Sequence, residues 1–393
     1  MRRLFNAAAG AALFCSGAIS GIGQAAPPEA NWQLPPYEAA YTPQGVDERG
    51  LWMEMDEEER KLRDSRFMVK DPELVGYIRS VLCRTVGEER CRNVRLYIQH
   101  TPEFNATMAP NGMMLVNTGL LLRVRSEAEL ASVLGHEFGH FELRHSLQGF
   151  KRQRAAGDLM TWAQILAPNS SGAFQSGVVG AFFAFNRAQE KEADLKGLSY
   201  LAASPYPSSV APNIWERLMA EQDATGEGRK RKVTHSRSAS FSDTHPSDLT
   251  RATYLREEAA KIGDKGDVAE AAYRSGMAKW LPVLLDDQVK LNDFGGTEFL
   301  LKMLAGDSWT ADLLYSRAEL YRQRGNPRDL VSAAQFYQEA IDKGCAIAEA
   351  RRGLGLALLR SQQVEQGRAA LRQYLSEKPD ATDASMIAML IAN

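Results

Sequence analysis

Three of the chain's six histidines fall inside SVLGHEFGHFELRH, residues 132 to 145, and this segment constrains the fold more than any other. His136 and His140 lie four apart, about 40° around an α-helix, so both imidazoles point to one place only if the segment is helical. Ser126 followed by Glu129 is a capping-box pattern that starts the helix near Ser126. Leu130, Val133, Leu134, Phe138 and Phe141 form its apolar stripe. Gly135 and Gly139 each cost about 1 kcal/mol in helix propensity, so the pattern predicts another element packed closely on that face.

The chain has 393 residues, more than one ordinary core holds, and its 44% hydrophobic and 24% charged residues are those of a globular protein. A formal net charge of −2 leaves no electrostatic footprint for nucleic acid, which argues against that class of partner. Residues 1–25 combine Arg2 and Arg3, an apolar stretch and small residues up to Ala25, and read as a secretory signal peptide. Residues 26–50 lack periodicity and read as an extended N-terminal arm. The longest later apolar run, 172–185, is well short of the roughly 20 residues a bilayer demands, so any membrane association is peripheral. Export permits disulfides, and Cys83 and Cys91 are expected to pair, with two buried thiols as the alternative. Cys345 reads as a small buried apolar residue.

Charge and apolar patterns predict helices over 51–66 and 71–83, a strand over 94–99, and a hairpin over 105–119 with a tight two-residue turn at Asn111-Gly112. Helical patterns resume at about 182–202 and 208–222. Residues 223–244 read as a long polar loop, a lid or a cleavage site. Beyond it, Ala333 and Gly367, Tyr337 and Leu371, and Ala340 and Tyr374 are each 34 apart, and Pro379 closes the unit. This period is similar to that of tetratricopeptide or Sel1-like repeats, with helices between about 268 and 305 completing the stack.

Two imidazoles on one helix face suit zinc, which needs a third protein ligand and keeps a fourth position for water when the site is catalytic. Glu137, beside them, can take that water's proton. A metzincin arrangement fails, because Leu143 and Ser146 stand where a glycine and a third histidine would be required. His145, five residues past His140 and about 140° round the helix, falls at the helix end. The segment AFNRAQEKEADLKG instead offers Glu190 and Asp194 on one helical face. Glu190 would be the third ligand and Asp194 would orient a ligand histidine, while Glu192 points away and reads as surface charge.

HEFGH, the spacing of 50 residues to EKEAD, Arg187 just before it, and DTHPSDLTR together resemble the gluzincin-type zinc metallopeptidase family that includes HtpX and the CAAX prenyl proteases. The resemblance covers roughly residues 50–260. It implies that His136, His140 and Glu190 bind one zinc ion, that Glu137 is the general base, and that Asp194 supports a ligand. In periplasmic members a histidine at the position of His245 closes over the zinc as a fourth ligand and holds the enzyme inactive. Here His245 would be such a latch or would donate to the oxyanion. The integral-membrane members have spanning helices between the motifs, which this chain lacks, and this argues against lipid-modified substrates.

The expected fold class is α+β, mostly helical: a zincin-type metallopeptidase domain with a small sheet over 51–262, then an all-α repeat domain over 263–393. The expected function is an exported, periplasmic zinc endopeptidase acting on unfolded or stalled outer-membrane proteins. Its repeats would bind substrates or the outer-membrane assembly machinery. The alternative is a repeat-based periplasmic chaperone or adaptor whose zinc site stays closed.

Overall fold

The computed structural model describes residues 42–152, 155, 172–233 and 248–392. The expected leader, most of the expected arm, and His245 lie outside the described residues. The first helix, α1 (Gly45–Asp64), begins before the expected Leu51, and its Glu59 accepts hydrogen bonds from Arg95 and from Tyr97 Oη.

Helix α2 (Pro72–Val86) starts where Asp71 accepts from the backbone N–H of Glu73 at 2.9 Å and Pro72 occupies the first turn. It buries Leu74, Ile78, Val81, Leu82 and Val86 on one face. Each such side chain contributes about 1.5–3 kcal/mol of transfer free energy. Gly87, at φ 93°, ends the helix, and the turn Glu88–Cys91 folds back so that Cys91 is disulfide-bonded to Cys83.

Strands β1 (Arg95–Gln99), β2 (Ala106–Met108) and β3 (Met113–Asn117) form one sheet in the order β1-β3-β2, with β1 parallel and β2 antiparallel to β3. The hairpin is present, but its turn is not the expected two-residue one. Ala109 N–H donates to Met113 O at 2.8 Å and Gly112 N–H to Ala109 O at 3.0 Å, with positive φ at Gly112 and not at Asn111. This is a three-residue connection with a glycine bulge, which needs only one left-handed residue.

Helices α3 (Thr118–Arg123) and α4 (Glu127–Glu142) follow. Ser126 caps α4 by accepting from Glu129 N–H, while the Glu129 carboxylate reaches back to Arg125 N–H at 2.7 Å and is clamped by Arg217. Helix α5 (Gly172–Ala203) crosses α4 at close range. A Cβ on Gly139 would stand 3.0 Å from the carbonyl oxygen of Ala193, and one on Gly197 would stand 3.1 Å from the backbone nitrogen of His136. The glycines of α4 therefore buy the close neighbour that their positions implied.

Helix α6 (Asn213–Gly228) extends through DATGEG, which had read as the start of a loop. The physical reason lies in its partner. Thr225 Oγ1 donates to Asp293 Oδ2 at 2.6 Å, and a Cβ on Gly228 would lie 3.1 Å from Gly295 Cα, so these small residues serve close packing. Helix α7 (Asp248–Ile262) packs beside α5 and α6.

Helices α8 (Glu270–Met277), α9 (Leu281–Lys290) and α10 (Phe294–Ala305) join the same apolar core as the sheet and α2–α6; it runs from Leu74 to Leu320. Two antiparallel helix pairs follow: α11 (Ala311–Arg324) with α12 (Pro327–Asp342), and α13 (Glu349–Arg360) with α14 (Val364–Glu377). Tyr337, Ala340, Leu371 and Tyr374, which carry the spacing of 34, are all buried between these helices. Helix α15 (Ala384–Ala392) packs on α14. No described helix is long and apolar enough to cross a membrane.

Replacing Gly197 by Val should push α5 off the backbone at His136 and cost about 1–3 kcal/mol of stability, as overpacked interiors do. Urea denaturation of the variant beside the parent measures this, and an unchanged midpoint would show the crossing to be loose.

Candidate metal centre

Helix α4 brings the Nε2 atoms of His136 and His140 to 3.1 Å from each other. Helix α5 adds Glu190, with Oε2 3.4 Å from His136 Nε2 and Oε1 3.4 Å from His140 Nε2. One donor atom from each of the three residues lies within 4.8 Å of the others. Two imidazole nitrogens and one carboxylate oxygen converging in this way match the donor set of a zinc site that keeps its fourth position for water.

The remaining nitrogen of His136, Nδ1, lies 2.7 Å from Asp194 Oδ1, so its proton is held there and Nε2 is left as the donor to a metal. Arg251 of α7 grips the same carboxylate with Nε at 3.0 Å and Nη2 at 2.6 Å, and Tyr254 Oη donates to it as well. The guanidinium lies over the Trp215 ring at 3.6 Å. Burial alone would raise the Asp194 pKa, but Arg251 and then His136 outweigh it and hold the carboxyl well below the usual range. Burial likewise opposes a charge on His136, yet Asp194 prevails and its pKa is pushed up to about 9.

Glu137 lines the same cleft, with Oε1 3.9 Å from His136 Nε2. Burial raises its pKa, while His136 and His140 pull the other way. The cleft, about 500 Å³, is walled by residues 104–108 on and beside the edge strand β2, by Val133, and by Trp215, whose ring meets Phe104 edge-on at 6.1 Å.

His145 lies just past the end of α4, as its spacing implied, and its Nδ1 lies 2.9 Å from His140 Nδ1. Glu192, read as surface charge, has a side chain 65% exposed but ends 3.2 Å from His145 Nε2. Arg251 was missed altogether. It stands in DTHPSDLTR, yet nothing local separates it from Arg256 on the same helix, whose side chain is 61% exposed. His245 lies outside the described residues.

Residues 74–259 match the model of peptidase family M48. The chain carries an M48 peptidase domain. The match spans both helices of the donor set, and M48 metallopeptidases use zinc, which the group of His136, His140 and Glu190 is able to hold. Among curated relatives, the chain is 32% identical over 165 residues to the mitochondrial metalloendopeptidase OMA1 of Arabidopsis thaliana, covering 41% of this chain and 30% of that one. It is 28% identical over 185 residues to the protein of the same name from Schizosaccharomyces pombe, covering 46% and 52%. It is 25% identical over 252 residues to the beta-barrel assembly-enhancing protease of Escherichia coli, covering 59% and 51%. The chain thus spans about half or less of the length of these relatives.

Zinc takes only neutral imidazole, and the His136 ring holds its proton up to about pH 9. Zinc uptake by the stripped protein at pH 7 should therefore release a proton, and apparent affinity should fall about tenfold per pH unit on going from pH 8 to pH 6. Calorimetric titration with zinc in two buffers of different ionisation enthalpy measures the release; identical heats in both would contradict it.

Proposed function

We propose that the chain is an exported zinc-dependent endopeptidase. The observation that carries this reading is Glu137, which lines the same cleft as the donor set of His136, His140 and Glu190, beside the edge strand β2. In this reading the three donors hold the zinc. When bound, the ion supplies Lewis acidity to the scissile carbonyl and to a water. Glu137 accepts the water's proton and returns it to the leaving amine. Asp194, gripped by Arg251, keeps His136 turned toward the site. The outer edge of β2 pairs with an extended peptide and presents its scissile bond to the site, the way many strands receive ligands. A capped site in a chaperone would have no use for a base at Glu137.

The peptidase unit is assigned to 51–262 and the helical unit to 263–393, whose first helices α8–α10 share the peptidase core, while the spacing of 34 and the two antiparallel helix pairs α11–α14 support a tetratricopeptide-like assignment for the rest. Those pairs serve to recruit protein substrates or an outer-membrane assembly partner. The name of the Escherichia coli relative, together with the leader-like N-terminus, supports unfolded or stalled outer-membrane proteins as substrates and the periplasm as the location. His245, which lies outside the described residues, is assigned by the sequence resemblance alone to one of two roles, a latch at the metal or a donor to the oxyanion.

The test is cleavage of an unfolded barrel protein by the mature chain beside Glu137→Gln at equal zinc content. Loss of a general base should lower the rate about 10²- to 10⁴-fold. Equal cleavage by both proteins would remove Glu137 from the mechanism. In cells lacking the gene, stalled barrel precursors should persist; unchanged turnover would overturn the substrate assignment.

A further inference from the structure

On an unbroken helix, five residues carry a side chain about 140° round the axis, so His145 would face away from the metal side. The chain does not stay helical there. Helix α4 ends at Glu142, and Arg144 has φ 55°, a left-handed conformation that residues with a Cβ seldom adopt. This reversal starts a new helical run at residue 145 and swings the His145 ring back beside His140, with ring centroids 4.9 Å apart. His145 is buried, and Gln189 Nε2 donates to its backbone carbonyl at 3.3 Å, tying the run to α5.

The protons in this row have one consistent arrangement. His140 turns Nε2 toward Glu190 and His136, so as a neutral metal ligand it carries its proton on Nδ1. That Nδ1 faces the Nδ1 of His145 at 2.9 Å, so His145 must accept there with a bare nitrogen. Its own proton then sits on Nε2, which faces Glu192 Oε2 at 3.2 Å. We propose that His145 is a positioning residue for the metal centre: it accepts the Nδ1 proton of His140, fixes that ring's tautomer and direction, and is itself set by Glu192. The inference rests on His140 being a zinc ligand. It makes the two histidine ligands unequal, since His136 is backed by a buried carboxylate and His140 by a neutral imidazole.

The experiment uses the full mature chain and zinc alone, read by competition with a chelating dye, with cobalt(II) absorption as a second readout. His145→Phe fills the space without accepting a hydrogen bond. Loss of such a partner should weaken zinc binding about 10- to 100-fold, whereas His145→Asn, whose Oδ1 takes the place of Nδ1, should bind within about threefold of the parent. The cobalt spectrum should change in the Phe variant and be kept in the Asn variant. Should His145→Phe not fold, His145→Ala carries the same comparison. A parent that binds no zinc overturns the metal reading and this inference together. A parent that binds one zinc, with a Phe variant of equal affinity, overturns the inference alone. Equal weakening in Asn and Phe also overturns it, because packing would then be the cause.

Discussion

Everything at the metal centre depends on how closely α4 and α5 approach. A ligand set shared by two helices needs donor atoms within a few ångströms, while helix axes ordinarily stand 8–10 Å apart. Glycine closes part of that gap. Gly135 and Gly139 on one side, with Gly197 on the other, allow backbone to meet backbone, and the meeting point is His136 itself. The helix propensity lost at these positions is offset by a crossing that sets the relative placement of His136, His140 and Glu190.

The second constraint is electrostatic. Asp194 and Arg251 are both buried, and a buried charge is costly unless it is paired and hydrogen-bonded. The carboxylate here meets Arg251 through two nitrogens, the Tyr254 hydroxyl and the His136 ring. One ion pair thus joins α4, α5 and α7. Removing any partner would leave a charge stranded in a site that has to hold its shape.

The legible part of this site is the part carried by short-range periodicity. His136 and His140 share a helix face, as do Glu190 and Asp194, and i,i+4 spacing reveals both pairs without any knowledge of tertiary structure. The pairing of Cys83 with Cys91 is local in the same sense. Arg251 was illegible because its partner lies 57 residues away and an arginine on a helix reads as solvated by default. His145 was illegible because the reversal that rescues it is made by Arg144, where a glycine would have announced it. DATGEG was misread because glycine serves both loose chain and tight contact, and only the facing residue, Gly295, tells which.

Helix α6 also links two separate places in the fold. Near its start Trp215 forms a wall of the cleft beneath Arg251, and ten residues later Thr225 is bonded to Asp293 at the head of α10. At 1.5 Å per residue these two points are about 15 Å apart along one rod. One continuous helix therefore carries both a wall of the metal cleft and the contact at the head of α10.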